Sequence, residues 1–491
     1  MSLEQLGQQD KDILIDGVWS GAEERAEVRH PYEGAVVGSV PLVGADRVTE
    51  AIEAADAAVD ASSLSAYDRY ELLTAAADRV EDRLEEIAQI VTSEEGKPIT
   101  EARNEVDRTA QTLRLSAEEA KRQFGEYVPM DPQKGMARDH CFTQREPLGV
   151  VAAITPFNFP IMLMAHKVGP ALAAGNAVVG KPATDTPLSS IALFECLDEA
   201  AAEVGAPDGL INVVTGSGST VGDVFLDHDA VEAISFTGST AVGKYLADNS
   251  GMKEITLELG GNDPTIVWHD TDLESAAEQV VGGACSNGGQ VCNSVERVLV
   301  EESIEDEFIE EVVDAAADIT VGNPHNEDTD LGAMVTDDEF ESTVELFEET
   351  LEQGARVEYG GNYGGDLGDR VFEPTVLSDV TPDMPAATEE VFGPVIPVIP
   401  VDSFEEAIEE ANNTNYGLEA GLFTQDIDRA KQAADRIDAG GVNINTVSGF
   451  RTDHMPYGGF KDSGKGKEGI KYATKHFSRE KLVGFHPGIN E

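Results

Sequence analysis

Apolar and polar positions divide this chain into two alternating blocks behind a helical start. Between residues 46 and 60, Val48, Ile52, Ala55 and Val59 recur at three- and four-residue intervals, which predicts one buried helix face. The same period carries Leu73, Ala76, Val80, Leu84, Ile87 and Val91 through residues 67–95, and Gly96 with Pro98 beyond it supplies the stop. From 149 to 268 the period changes repeatedly. Short apolar runs ("GVVAAI", "NAVVG", "INVVT", "AISFT", "EITLE", "TIVW") alternate with helical stretches such as 187–203. That alternation predicts βαβ units, hence a mostly parallel sheet covered on both faces. A second alternation runs from about 295 to 445, with strands at "RVLVEE", "GPVIPVIPV", "EAGLFT" and "GVNIN". The expected fold class is therefore α/β with two domains. "ARDHCFTQREP" and the terminal "SREKLVGFH" read as extended segments without a partner in their own domain, of the kind that adds to another subunit.

Size agrees with that division, since 491 residues exceed what one core organises. The N-terminal stretch lacks the basic-then-apolar pattern of a signal peptide. No apolar run reaches the roughly 18 residues that span a bilayer, so a cytoplasmic protein is expected. Asp plus Glu number 93 against 34 Lys plus Arg, a formal net charge of −59. Such a balance argues against nucleic acid or an anionic membrane as a partner. Because the charge is spread along helical faces, it also points to a salt-adapted, halophilic source: at about 1 M salt the Debye length falls to about 3 Å and self-repulsion is screened.

Four cysteines (Cys141, Cys196, Cys285 and Cys292) form no CxxC and no Cys/His ligand cluster, so no metal is expected. Cys292 differs from the others in following a Gly-Gly-Gln run in "GGQVCNSVERV". Alone, that stretch fits a core thiol or a nucleophile, which needs exposure and donors for the oxyanion it creates. Three further stretches bear on the choice. Asn158 stands between two aromatics in "TPFNFP", Glu258 ends a strand in "LELGGNDP", and Gly238 and Ser239 lead from a strand into a helix start in "FTGSTAVG". Each also has a plainer reading as an Asx turn, a solvated carboxylate or a capped helix. Neither Gly-rich turn spells the strict dinucleotide fingerprint, and "GSGSTVG" runs GxGxxxG.

Taken together, "PFNFP", "AAGNAVVGKPA", "FTGSTAVG", "LELGGNDP", "SNGGQVCNSVERVLV", "EEVFGP" and "PYGGFKDSGKGKEG" resemble the aldehyde dehydrogenase superfamily in order and spacing, over nearly the whole chain. The resemblance implies a fold of two Rossmann-like domains with a small β oligomerisation element. It assigns residues 1–127 and 149–258 to NAD(P) binding, 259–465 to catalysis, and 128–148 with 474–491 to an arm of a homodimer or homotetramer. By resemblance Cys292 is the nucleophile, Asn158 and the Cys292 N–H hold the oxyanion, Glu258 activates water against the thioester, and Lys167 supports the asparagine. The coenzyme, NAD or NADP, falls to Thr155, Phe157, Lys181, Thr184, Gly216, Phe236, Gly238, Ser239, Glu390 and Phe392. Thr184 stands where many NAD-preferring members carry a glutamate, so NADP is expected to be tolerated.

The branch resembled is that of lactaldehyde, succinate-semialdehyde and non-phosphorylating glyceraldehyde-3-phosphate dehydrogenases. It implies a substrate pocket with Arg108, Phe159, His166, Val291 and Arg451. Val291 and Phe159 replace an arginine and a tyrosine of the phosphate-using relatives, which disfavours a dianionic substrate. The expected reaction is oxidation of a small aldehyde, a semialdehyde acid or hydroxyaldehyde, to its acid. Two rivals are a CoA-acylating enzyme, against which Glu258 argues, and a catalytically silent binding or structural member, against which intact Cys292, Asn158 and Glu258 argue.

Overall fold

The computed structural model describes residues 9–134 and 139–486. Parts of the expected arm, 135–138 and 487–491, lie outside the described residues. The first predicted helix is Ala45–Ala61, with Val48, Ile52 and Ala55 fully buried. The second is two helices, Ala66–Asp82 and Leu84–Glu95, separated at Arg83 (φ −100°, ψ 13°). The apolar period runs unbroken across that break, so the pattern alone merges them. Gly96 closes the second with φ +83°, the left-handed conformation expected of a helix stop.

Five parallel strands form the centre of the first sheet, in the order Glu254–Glu258, Val231–Thr237, Val150–Ile154, Ala177–Lys181 and Ile211–Val213. Every residue of Val150–Ile154 and of Ala177–Lys181 is buried, because helices cover both faces; that is why these strands read as continuous apolar runs. Antiparallel strands border this core: Ile13–Ile15 on one side and Gly464–Lys465 on the other. Gly464–Lys465 falls inside the span 259–465 assigned to the second domain, so the chain returns to the first sheet just before that boundary. The second sheet has seven strands, parallel except for its edge strand Arg356–Tyr359.

The terminal strand Ser478–Phe485 has a partner within the chain. It pairs antiparallel with His140–Pro147 from Ser478↔Pro147 to Phe485↔His140, and Tyr127–Val128 completes a small sheet. The expectation of two strands lacking any partner of their own is corrected in this respect. Among the described residues, no helix is long and apolar enough to cross a membrane.

The carboxyl ends of the parallel strands gather the predicted residues along one edge of the first sheet. Lys181 and Glu258 end their strands, Gly216 follows Ile211–Val213, and Gly238 and Ser239 follow Val231–Thr237. Open parallel sheets bind ligands outside this edge.

Candidate active site

The Gly-Gly-Gln run ahead of Cys292 is a scaffold. Helix Leu273–Cys285 ends in a turn in which Asn287, Gly288 and Gly289 all have positive φ (49°, 68° and 78°). A Cβ on Gly289 would lie 2.2 Å from the carbonyl carbon of Gly393, so only glycine fits there. The strained Asn287 is held by its bonds. Its amide donates to Glu95 Oε1 (2.7 Å) and to the Asn158 carbonyl (3.0 Å), and its backbone N–H donates to Glu101 (2.9 Å). Gln290 accepts from the Val335 N–H (3.0 Å), and its own carbonyl accepts from Asn158 Nδ2 (2.7 Å). The loop and the asparagine are thus bound to each other at two points.

Cys292 sits between two cavities. One, of about 430 Å³, is lined by Arg108, Phe159, Val291, Arg451 and Tyr457; the other, of about 170 Å³, by Phe157, Ser239, Glu258, Glu390 and Phe392. Cys292 and Asn158 line both. Cys292 is partly exposed, whereas Cys141, Cys196 and Cys285 are buried. Its Sγ lies 3.2 Å from the Tyr457 hydroxyl. The Cys292 thiol is raised to about 12: burial pushes it up by more than the Tyr457 hydrogen bond and the Arg451 charge draw it back. The Cys292 N–H has no acceptor among the described residues, and the Asn158 amide has one proton left after its bond to Gln290.

Neither carboxylate oxygen of Glu258 has a hydrogen-bond partner, and both are buried. Burial and the neighbouring Glu468 hold its pKa well above the ordinary value of 4.5. Gly458 stands against it: a Cβ there would lie 2.7 Å from Glu258 Oε1. Lys167 does not support Asn158. It is fully buried and donates to Glu468 (2.7 Å), Thr237 (2.6 Å) and Ser235 (3.4 Å). The lysine on the asparagine is Lys97, whose ammonium donates to the Asn158 carbonyl at 2.8 Å while pairing with Glu95 and Glu105. Lys97 also lies 3.8 Å from the centre of the Phe159 ring. Glu105 in turn accepts from the N–H groups of Ile161 and Met162, at the start of helix Pro160–Ala174.

In the larger cavity Arg108 pairs with Asp453 (2.7 Å) and Arg451 with Glu468 (3.1 Å). Both arginines are therefore ion-paired inside the site and not on the surface. Asp453 also meets His166 Nε2 at 3.2 Å; His166 is buried and lowered below 6.5 by that burial, so it is neutral at pH 7. The cavity thus presents two arginines, each already paired with one carboxylate, and its lining also includes Glu101 and Glu105 beside Arg108.

The profile of the aldehyde dehydrogenase family matches residues 19–483. The chain belongs to the aldehyde dehydrogenase family. It is 42% identical over 471 residues to 3-sulfolactaldehyde dehydrogenase of Priestia aryabhattai, covering 96% of this chain and 97% of that one. Lactaldehyde dehydrogenase of Methanocaldococcus jannaschii is 39% identical over 472 residues, with 96% and 99% covered. Among solved structures, NADP-dependent glyceraldehyde-3-phosphate dehydrogenase from Bacillus halodurans C-125, complexed with NADP, matches with a TM-score of 0.93 and 39% identity, over 97% of this chain and 99% of that one. This aldehyde dehydrogenase is accordingly an NAD(P)-dependent oxidoreductase of the non-acylating kind.

The residues along the sheet edge fit a dinucleotide. Helix Thr240–Asn249 begins at Ser239, which lines the smaller cavity and whose side chain caps none of the helix's first N–H groups, the arrangement in which helix starts bind anions. Gly238 has no room for a Cβ, which would lie 2.6 Å from the Phe236 ring. Among the described residues the buried Thr155 hydroxyl has no partner, and the Lys181 ammonium is influenced by the Asp185 charge. Glu390 accepts from the Gly261 N–H (3.1 Å), and Phe157 and Phe392 meet edge to face at 6.0 Å. Gly216 is buried beside Val43, and Thr184 is exposed. Sequence reasoning missed Tyr457, Lys97, Asn287, Glu468, Asp453 and Asp185. Tyr457 and Glu468 fall in the "PYGGFKDSGKGKEG" motif and Asn287 in "SNGGQVCNSVERVLV"; the others lie outside the quoted motifs.

Proposed function

We propose that this enzyme oxidises a small aldehyde bearing a compact anionic group, a sulfonate or carboxylate, to the corresponding acid. The observation that carries the reading is the placement of Arg108 and Arg451 in the cavity that opens onto Cys292. The 3-sulfolactaldehyde relative supports it. Two arginines that each already pair with a carboxylate suit a monoanion better than a phosphate dianion, which a cluster of arginines holds.

In the chemistry so proposed, the Cys292 thiolate attacks the aldehyde carbon, and the oxyanion lies between the free Asn158 amide proton and the Cys292 N–H. The nicotinamide coenzyme, when bound, supplies a hydride acceptor at this carbon. Lys181 and Ser239 would hold its adenosine and pyrophosphate portions, Glu390 its nicotinamide ribose and Phe392 its ring. The acyl group is left as a thioester on Cys292. Glu258 takes a proton from water, the hydroxide adds to the acyl carbon, and the thiolate departs with release of the acid. NADP is accepted because Thr184 carries no charge to repel a 2′-phosphate.

Residues 1–127 and 149–258 serve the coenzyme and 259–465 the acyl chemistry. The small sheet joins subunits of a dimer or tetramer: Tyr127, Phe142, Leu482 and Phe485 are exposed on it.

The test is formation of reduced nicotinamide at 340 nm, in about 2 M KCl, crossing NAD and NADP with 3-sulfolactaldehyde, succinate semialdehyde, lactaldehyde and glyceraldehyde-3-phosphate. A Cys292-dependent rate highest for an anionic aldehyde is expected. Arg108→Leu then lowers kcat/KM for that aldehyde about tenfold or more and leaves lactaldehyde nearly unchanged. Equal losses on both substrates would remove the anion reading.

A further inference from the structure

Among the described residues the hydroxyl of Tyr457 has one hydrogen-bond partner, the Cys292 sulfur at 3.2 Å. The side chain is buried, with 3% of its surface accessible. Its ring is fixed from behind: the Arg451 guanidinium lies 3.7 Å from the ring centre, and Arg451 is anchored on Glu468. The backbone is fixed as well, since Tyr457 and Glu468 exchange both N–H to carbonyl bonds. The phenol is therefore aimed at the sulfur by the stacked guanidinium and by the backbone pairing, both of which lead back to Glu468.

We propose that the Tyr457 hydroxyl is a catalytic donor to Cys292, favouring the thiolate over the thiol in the resting enzyme. The inference rests on Cys292 being the nucleophile. A hydrogen bond to an anion is stronger than one to a neutral acceptor, so a phenol that donates to sulfur stabilises the charged form selectively. Tyr457 is a donor throughout the neutral range, because burial and the neighbouring Cys292 hold its own ionisation well above 10. The other charged groups facing the sulfur do not replace it. Arg451 favours the thiolate, and Glu390 and Asp263 oppose it. A ring without the hydroxyl would fill the same space and stack on the same arginine, so the hydroxyl is separable from the packing.

The pH dependence of Cys292 alkylation by iodoacetamide in the full-length, coenzyme-free protein tests this. Rates are followed by mass spectrometry of the Cys292 peptide, with Cys292→Ala marking unspecific labelling. In Tyr457→Phe the alkylation midpoint is expected to rise by about one pH unit, so that the rate below the midpoint falls about tenfold. Tyr457→Met, also without a hydroxyl, gives the same reading should the Phe variant not fold, and Tyr457→His, which restores an N–H donor, returns the midpoint toward that of the parent. An unchanged or lowered midpoint in the hydroxyl-free variants overturns the proposal; the lowered one would mean that the thiol donates to the phenol. Failure of the underlying reading looks different: Cys292→Ala would then still oxidise aldehydes.

Discussion

The ammonium of Lys97 donates to the backbone carbonyl of Asn158 at 2.8 Å, across 61 positions of sequence. Lys97 and its partners Glu95 and Glu105 are completely buried. The asparagine that faces Cys292 is thus set by a charged cluster behind it, to which Asn287 adds a second bond on the same carbonyl.

Removing the cation should expose that dependence. Lys97→Met leaves two carboxylates buried without their counter-charge, which costs about 3–5 kcal/mol when one partner of a buried pair is deleted. A marked drop in melting temperature is expected, with a lower kcat in whatever fraction folds. Melting by circular dichroism checks it, and an unchanged Tm would show that the cluster carries no stability.

Glu258 lines the smaller cavity together with Cys292, and among the described residues neither of its oxygens has a hydrogen-bond partner. In Glu258→Gln the thioester should form but not hydrolyse. Steady-state kcat falls by about 10²- to 10⁴-fold, while rapid mixing reveals a burst of reduced nicotinamide near one per active site. No burst, with chemistry itself slowed, would assign Glu258 to an earlier step. In the parent enzyme the elevated Glu258 pKa puts the loss of hydrolysis on acidification at a higher pH than an ordinary carboxylate would.

Stability should decline as pH rises through neutrality. Burial raises Glu94 and Glu390 to about 8 and Glu101, Glu296 and Glu419 to about 7. Between the unfolded value near 4.5 and these folded values, the native state binds more protons than the unfolded chain. The slope of unfolding free energy with pH is therefore negative. His30 and His325, lowered to about 3 and about 4, act in the opposite sense only below about 6.5. Melting temperatures at pH 6.5, 7.5 and 8.5 in constant salt should fall in that order; a rise would contradict the assignment.

Salt should raise the melting temperature. Helices Glu305–Ala317 and Asp337–Glu352 each open with three consecutive acidic residues and carry exposed carboxylates along their outer faces. Screening that repulsion from about 0.1 to about 2 M KCl, over which the Debye length shrinks from about 10 Å to under 3 Å, is expected to raise both melting temperature and activity. Full stability in dilute buffer would remove the halophilic reading.

Asp185 supplies a carboxylate near Lys181 although Thr184 does not. Asp185→Asn should raise the ratio of kcat/KM for NADP over NAD several-fold, since a repulsive charge near the ammonium is removed. An unaltered ratio would leave coenzyme choice to other residues.

Much of the fold was legible in the chain, and for identifiable reasons. "GVVAAI" and "NAVVG" read as buried parallel strands because covering both faces of a sheet demands unbroken apolar runs, and Val150–Ile154 and Ala177–Lys181 are those strands. The division at Arg83 was not legible, because Ala66–Asp82 and Leu84–Glu95 bury the same continuous face. Cys292, Asn158 and Glu258 were reached through their motifs, and the structure brings all three to the smaller cavity, Cys292 and Asn158 lining the larger one as well. Their partners were not. Arg108 and Asp453 are 345 positions apart, and Lys167 and Glu468 are 301 apart.

By itself the sequence determined the alternation of strands and helices, the acidic surface and the identity of the groups at the strand ends, because each depends on neighbours within one or two turns of chain. Only the tertiary structure decided that Lys97 and not Lys167 holds Asn158, that Arg108 and Arg451 face the cavity already paired, and that a tyrosine hydroxyl rests on the Cys292 sulfur. Hydrogen bonds act within about 3 Å. Which of several buried lysines, arginines or phenols comes that close is a matter of how distant elements pack.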